Sequence, residues 1–334
     1  LIALTADRIR RFFDCAAAGL LLVAAPASPA LDTPLADDGI HAAVTSPRAS
    51  VSLLTGAART GSRIVAVGER GHLLLIDGPG DDGFRQVPMP VDRLLTAVAF
   101  VDAERGLAVG HDALILRTGD GGETWEAVHA AALEDRPLLS VVWLDRERAV
   151  AVGAYGLALA SEDGGRSWRA VEVDPGEDFH LNAVAVSADG RVYIAGESGR
   201  VYRSDDGGES WHVLPFPYHG SLFGVRPLHA SGVLAFGLRG HLFRSEDAGM
   251  HWRRIDTATA ATLTAAATMP GGGVVLVGHE GALLVSFDGG RTVSALQAPR
   301  SRRSFSDLVV DGGALWLFGE GGARRLDLPA APAR

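Results

Sequence analysis

Lysine is missing from all 334 residues, so each of the 31 basic side chains is an arginine. That excludes Schiff-base chemistry and amine nucleophiles. It also makes every fixed cation a planar fork suited to carboxylates and phosphates. Cysteine occurs once, as Cys15, which rules out an intrachain disulfide and a multi-thiolate metal centre. Positive charge is in deficit, with 40 acidic residues and a net charge of -9. A nonspecific nucleic-acid footprint is usually basic, so no nucleic-acid partner is expected. Long apolar runs are missing as well. The stretch from Ala16 to Ala25 falls far short of the ~20 residues of a membrane-crossing helix. Preceded by Arg8, Arg10 and Arg11 and followed by small residues through Ala30, it reads as a cleaved export signal over residues 1–30. A periplasmic or secreted chain with no membrane span after cleavage is the expectation.

Glycine, by contrast, is plentiful and periodic. A Gly-x-x-Gly pair begins at Gly68, Gly110, Gly153, Gly196, Gly237, Gly278 and Gly319, at intervals of 42, 43, 43, 41, 41 and 41 residues. The second glycine is kept at Gly71, Gly156, Gly199, Gly240, Gly281 and Gly322, and Ala113 replaces it in the second repeat. Short β-branched and aromatic runs, each ending at a turn signal, flank the pairs, as in Leu181–Ser187, Arg191–Gly196 and Gly199–Ser204. A period just above 40 residues built from strands is the length of one four-stranded propeller blade. The chain is therefore expected to be all-β: a seven-bladed β-propeller of four-stranded antiparallel blades.

The blades are placed near 49–90, 94–130, 138–173, 181–215, 222–256, 263–297 and 305–329, with 330–334 as a tail. The seventh runs out after its third strand. A segment within 31–48, around Ile40 to Val44, is expected to supply the missing outer strand, because an open edge leaves backbone groups unpaired. One glycine of each pair is expected to supply a positive φ.

A second signature, Ser/Thr-x-Asp-x-Gly-x-Thr/Ser-Trp, runs from Thr118 to Trp125, Ser161 to Trp168, Ser204 to Trp211 and Ser245 to Trp252, with a weaker copy at Ser286 to Thr292. A short carboxylate in a turn accepts the amides that the turn leaves unpaired. Asp120, Asp163, Asp206, Asp247 and Asp288 are read as structural, capped by Trp125, Trp168, Trp211 and Trp252.

This signature resembles the BNR or Asp-box repeat. The combined pattern, carried best by Leu94–Phe100 and Leu107–Trp125, is similar to that of the photosystem II stability and assembly factor family. The resemblance implies an exported propeller, without catalytic residues or cofactor, that binds a protein partner and aids assembly of a membrane or envelope complex, with the propeller itself a monomer. BNR repeats also occur in sialidases, so an exported glycoside hydrolase is the alternative. Sialidases use an arginine triad and a tyrosine nucleophile. Only Tyr155, Tyr193, Tyr202 and Tyr218 are available, and Phe84-Arg-Gln-Val-Pro88 is only faintly similar to their Phe/Tyr-Arg-Ile-Pro element.

In a propeller the turn between strands two and three shares a face with the linkers between blades. Between its constant glycines this chain presents variable residues, the pattern of a binding surface. Its candidate partner-binding residues are Arg70, Arg93, His111, Asp112, Tyr155, Glu197, Arg239, His279, Glu280, Arg300, Arg302 and Arg303. Arg70, Arg93 and the 300–303 cluster are expected to group on one side, with Asp174, Glu177 and Asp178 opposite. His111, Asp112, His279 and Glu280 carry no ligand spacing that would make them a metal site.

Overall fold

The computed structural model describes residues 41–78, 83–129, 135–229, 231–296 and 302–328. The expected export segment, Ile40 and Arg300 lie outside them. Among the described residues no helix is long and apolar enough to cross a membrane.

Blade one shows how a repeat becomes a sheet. β1 (Leu54–Thr60) turns at Gly61 into β2 (Arg63–Gly68), the glycine pair leads into β3 (Leu73–Asp77), and β4 (Phe84–Gln86) ends the blade. The strands pair antiparallel in chain order. Five more four-stranded blades follow, with inner strands starting at Leu95, Leu138, Leu181, Leu222 and Leu263, and a seventh starts at Phe305. The second strand of blades two to seven is buried along its whole length. Neighbouring blades cover both of its faces, which is why it reads as an unbroken apolar run.

One apolar cluster fills each of the seven seams between consecutive blades. Val65, Leu75, Leu116 and Trp125 meet between blades one and two. Leu54, Ile64, Leu74, Trp316 and Phe318 meet between seven and one, where Phe84 and Trp316 pack edge to face with centroids 6.2 Å apart. The ring is closed by the same kind of burial that joins every other pair.

Polar ties reinforce the seams from the channel side. The inner strand of each blade shifts register after its first residue. In four blades the next side chain then donates to the neighbouring blade: Thr55 to the Leu95 carbonyl, Thr96 to Leu138, Asn182 to Leu222 and Thr264 to Phe305.

The closing strand expected near Ile40 to Val44 is not formed by His41–Val44, and blade seven has three strands among the described residues. The segment is held by blade one instead. Ala43 N–H donates to the Met89 carbonyl at 3.0 Å, and the Gln86 amide donates to Val44 O and accepts from Ser46 N–H at 3.1 and 2.7 Å. A side-chain amide thus takes up the backbone groups that a strand pair would have used. Downstream, a 3-10 turn at Ala49–Val51 buries Ala49 in the closing seam. The outer edge of blade seven, Gly322–Asp327, carries Arg324, Arg325 and Asp327, and charge of this kind discourages edge-to-edge pairing.

Candidate binding face and central channel

In all seven blades the first residue between the glycines donates its N–H to the residue just before the inner strand: Glu69 to Leu53, His111 to Leu94, Ala154 to Pro137, Glu197 to His180, Leu238 to Ser221, His279 to Thr262 and Glu320 to Ser304. Turns and linkers therefore share one face, and the first glycine is required by that closeness. A Cβ on Gly68 would sit 2.1 Å from the Leu53 carbonyl oxygen. The second glycine is left-handed, as expected, but so is the residue before it: Arg70, Asp112, Tyr155, Ser198, Arg239 and Glu280 have φ between 52° and 59°. Side chains at such positions are uncommon and costly. Six of the seven tips hold one at the apex, and the seventh has Gly321 there.

The predicted face residues separate into groups. Glu197 accepts the His180 N–H at 3.4 Å, as Glu69 does for Leu53 and Glu320 for Ser304, so these glutamates brace their own linkers. Arg93 forks onto Asp92 and Asp112 at 2.9 and 2.7 Å, pairing two of the candidates with each other. Tyr155 is 56% exposed and packs edge-on to His180. His111, His279 and Glu280 are exposed. Arg303 is exposed, with its guanidinium lying over the Gly321 tip. Arg70, Arg239 and Arg302 are exposed and make no ion pair or side-chain hydrogen bond among the described residues.

On the opposite face arginines are consumed by the seams. Arg117, Arg203 and Arg244 donate to the Gly164, Ala248 and Gly289 carbonyls of the next blade at 2.9–3.0 Å. Arg63–Glu123, Arg169–Glu209 and Arg59–Asp311 cross three further seams.

The aspartate turns close on themselves. Thr118 Oγ1 donates to Asp120 Oδ1 at 2.8 Å and accepts the Gly122 N–H, while Thr124 donates its N–H to Oδ1 at 2.9 Å and its hydroxyl to Oδ2 at 2.6 Å. The pattern repeats at Asp163, Asp206 and Asp288. At Asp247 the His251 ring takes the hydroxyl's place at 2.6 Å. Trp125, Trp168 and Trp252 donate their indole N–H to the turn carbonyl, whereas the Trp211 indole finds no partner. Hydrogen bonds from Ser167 hold Asp163 at about 2, and His251 does the same for Asp247. At Asp288 burial pushes upward but the Thr292 and Ser286 bonds outweigh it, leaving about 2. Asp120 is lowered against burial in the same way, and Ser210 draws Asp206 lower still. Such carboxylates are spent on their own turns. Among the described residues no group of three or more His, Cys, Asp or Glu gathers to hold a metal.

Sequence reading passed over two concave features. One is a pair of pockets of about 320 and 300 Å³ that share Phe179, between blades three, four and five. Arg200 lies over the Phe179 ring at 4.9 Å, and the buried Tyr202 donates to Asp174 at 2.9 Å. The acidic linker residues Asp174 and Glu177 both line the first pocket. The other is the axial channel, about 660 Å³, lined by the inner strands of all seven blades. Asp307 and Arg226 stand in its wall. Burial there pushes Asp307 up to about 6, against the N–H groups of Ala57 and Leu308 and the charge of Arg226. Laying the seven repeats in register would have exposed both, since charge is out of place at those positions.

The fold and its two faces define a class: a seven-bladed propeller that offers variable turns above a charged channel. The family model described as photosynthesis system II assembly factor YCF48 matches residues 79–222 and 134–328, and the chain belongs to that family. Among solved structures, "YCF48 bound to D1 peptide" is similar at 17% identity and a TM-score of 0.69, covering 87% of this chain and 97% of that one. YCF48 from Cyanidioschyzon merolae is similar at 18% identity and a TM-score of 0.66, covering 84% and 96%. Virginiamycin B lyase from Staphylococcus aureus, at 11% identity and a TM-score of 0.70, covers 85% and 97%. These likenesses show the fold alone, because propellers of one shape host both binding and catalysis. No curated protein matches the chain by sequence.

Proposed function

We propose that this protein is a non-catalytic, exported propeller whose glycine-turn face binds a protein partner and aids assembly of a membrane complex. The family match across residues 79–328 carries the reading, and a relative's title records a bound D1 peptide. The face itself adds support. Arg70, Arg239 and Arg302 make no ion pair there among the described residues, while on the opposite face Arg117, Arg203 and Arg244 donate to seam carbonyls. Free guanidinium forks suit acidic loops and carboxylates of a partner. Periplasmic placement follows from the arginine-led apolar segment of residues 1–30.

The test is affinity capture from native envelope membranes. The wild-type chain should enrich the subunits of one membrane complex. Arg70, Arg239 and Arg302 changed together to alanine should lose that enrichment while the Tm stays within about 2 °C, since exposed charges contribute little to stability. Equal enrichment by the triple variant would remove this face from the reading. Turnover of a fluorogenic glycoside panel, abolished by removing one carboxylate, would overturn the non-catalytic assignment.

A further inference from the structure

Seven inner strands surround the channel, and cross-strand pairing sets their residues in register. The position of Asp307, opposite Phe318, is held in the other blades by Gly56, Ala97, Ser140, Ala183, Gly224 and Ala265. The position of Arg226, opposite Leu234, is held by Ala58, Ala99, Val142, Ala185, Ala267 and Val309. Small side chains at both levels leave the bore open. Two opposite charges interrupt them, in blades five and seven.

These charges do not satisfy each other. Asp307 spends both oxygens on backbone donors, Ala57 N–H to Oδ2 and Leu308 N–H to Oδ1, each at 2.8 Å. Arg226 makes no ion pair among the described residues, and its one hydrogen bond is a long one, 3.4 Å to Thr268 Oγ1. A guanidinium has five N–H donors. Most of those on Arg226, which lines the channel, therefore have no acceptor among the described residues, on a side chain that burial already disfavours as a cation. Arg226 is only partly buried, so its unused donors are open to an anion that enters the bore.

We propose that the channel is a binding site for a carboxylate, held in a bidentate fork by Arg226 with the Thr268 and Ser306 hydroxyls lining the same space. The Arg226 guanidinium matches one carboxylate in charge and shape, and Arg59, which also lines the channel, is paired with Asp311. The Asp307 carboxylate in the same bore opposes the second negative charge of a phosphate dianion. The carboxylate has two possible sources, a small free acid or the C-terminus of a polypeptide threaded into the channel. The site is independent of the partner face at the glycine turns, so either can fail without the other.

Titration calorimetry with acetate, N-acetyl-Ala-Ala as free acid, N-acetyl-Ala-Ala as carboxamide, and inorganic phosphate tests the site. Saturable binding of the acids is expected, with the carboxamide and phosphate at least tenfold weaker. Arg226→Gln should weaken acid binding tenfold or more, and Arg226→Lys should fall between, because it keeps the charge and loses the fork. Acetate binding as tightly as the dipeptide acid assigns the site to a free acid, and a tenfold gain for the dipeptide assigns it to a chain terminus. Equal binding of acid and carboxamide, stronger binding of phosphate, no saturable acid binding, or undiminished binding by a folded Arg226→Gln protein would each overturn the proposal. The comparison among ligands uses the wild-type chain and stands even if a variant fails to fold.

Discussion

At the scale of single residues, the glycines fall into two physical kinds. Gly199 has φ 71° and its Cβ position lies 1.7 Å from the Tyr218 carbonyl oxygen, whereas Gly190 has φ 88° with nothing within 4 Å. An added methyl at Gly190 meets only the left-handed strain of about 1 kcal/mol. At Gly199 it must also displace the linker that enters the next blade. Gly190→Ala should therefore cost about 1 kcal/mol in denaturant unfolding and Gly199→Ala more than about 3 kcal/mol. Similar losses at both sites would mean that the linker yields freely, and the close approach would lose its structural meaning. Ala113, at φ 51°, shows that one turn of the seven tolerates the methyl.

Among the elements, the aspartate turns govern acid behaviour. Their carboxylates sit below the unfolded value of 3.8, at about 2 for Asp163, Asp247 and Asp288. A depressed folded-state pKa contributes stability that is complete above the unfolded value and is lost as pH falls toward the folded one. These turns are partly solvated, so screening trims each contribution. The Tm of the wild-type protein should fall steeply between about pH 4 and pH 2. Asp163→Asn should fall less over that interval, having lost part of the linkage beforehand. Parallel curves for the two proteins would show that Asp163 does not drive the acid transition.

For the whole molecule, closure is the decisive event, and Asp307 links its two ends. Its Oδ2 accepts the Ala57 N–H across the seam between blades seven and one, and it is raised from 3.8 to about 6. The sign is opposite to that of the aspartate turns. A carboxyl whose folded-state pKa is raised contributes stability that is full below its unfolded value and is lost as pH climbs through the folded one. The expected loss between pH 4 and pH 7 is on the order of 2–3 kcal/mol. Asp307→Asn should flatten unfolding free energy across that range while costing stability at pH 4, since one backbone donor loses its partner. An unchanged slope would place the pH dependence elsewhere.

Much of the architecture was legible from the repeat alone. Blade number, strand order and the aspartate turns all rest on local patterns: a period, a turn residue, an alternation. His41–Val44 do not form the expected closing strand, because Gln86, 40 residues downstream of Ser46, offers an amide that mimics a strand edge. No local pattern announces such a contact. Among the face residues, Arg93 and Asp112 were recognised by type, but their pairing with each other depends on a linker and a tip meeting in space. Glu197 likewise looks like a presented charge until the His180 amide is found beneath it.

Short-range chemistry, written into every blade, determined from sequence alone that this chain is a ring of seven sheets with turns that stiffen themselves. Tertiary structure decided which arginines are free, how the ring is sealed, and that Arg226 and Asp307 confront one channel from blades five and seven. The reason is geometric. Hydrogen bonding and hydrophobic period act between near neighbours, whereas charge pairing across a closed ring depends on distances that exist only once the last blade has met the first.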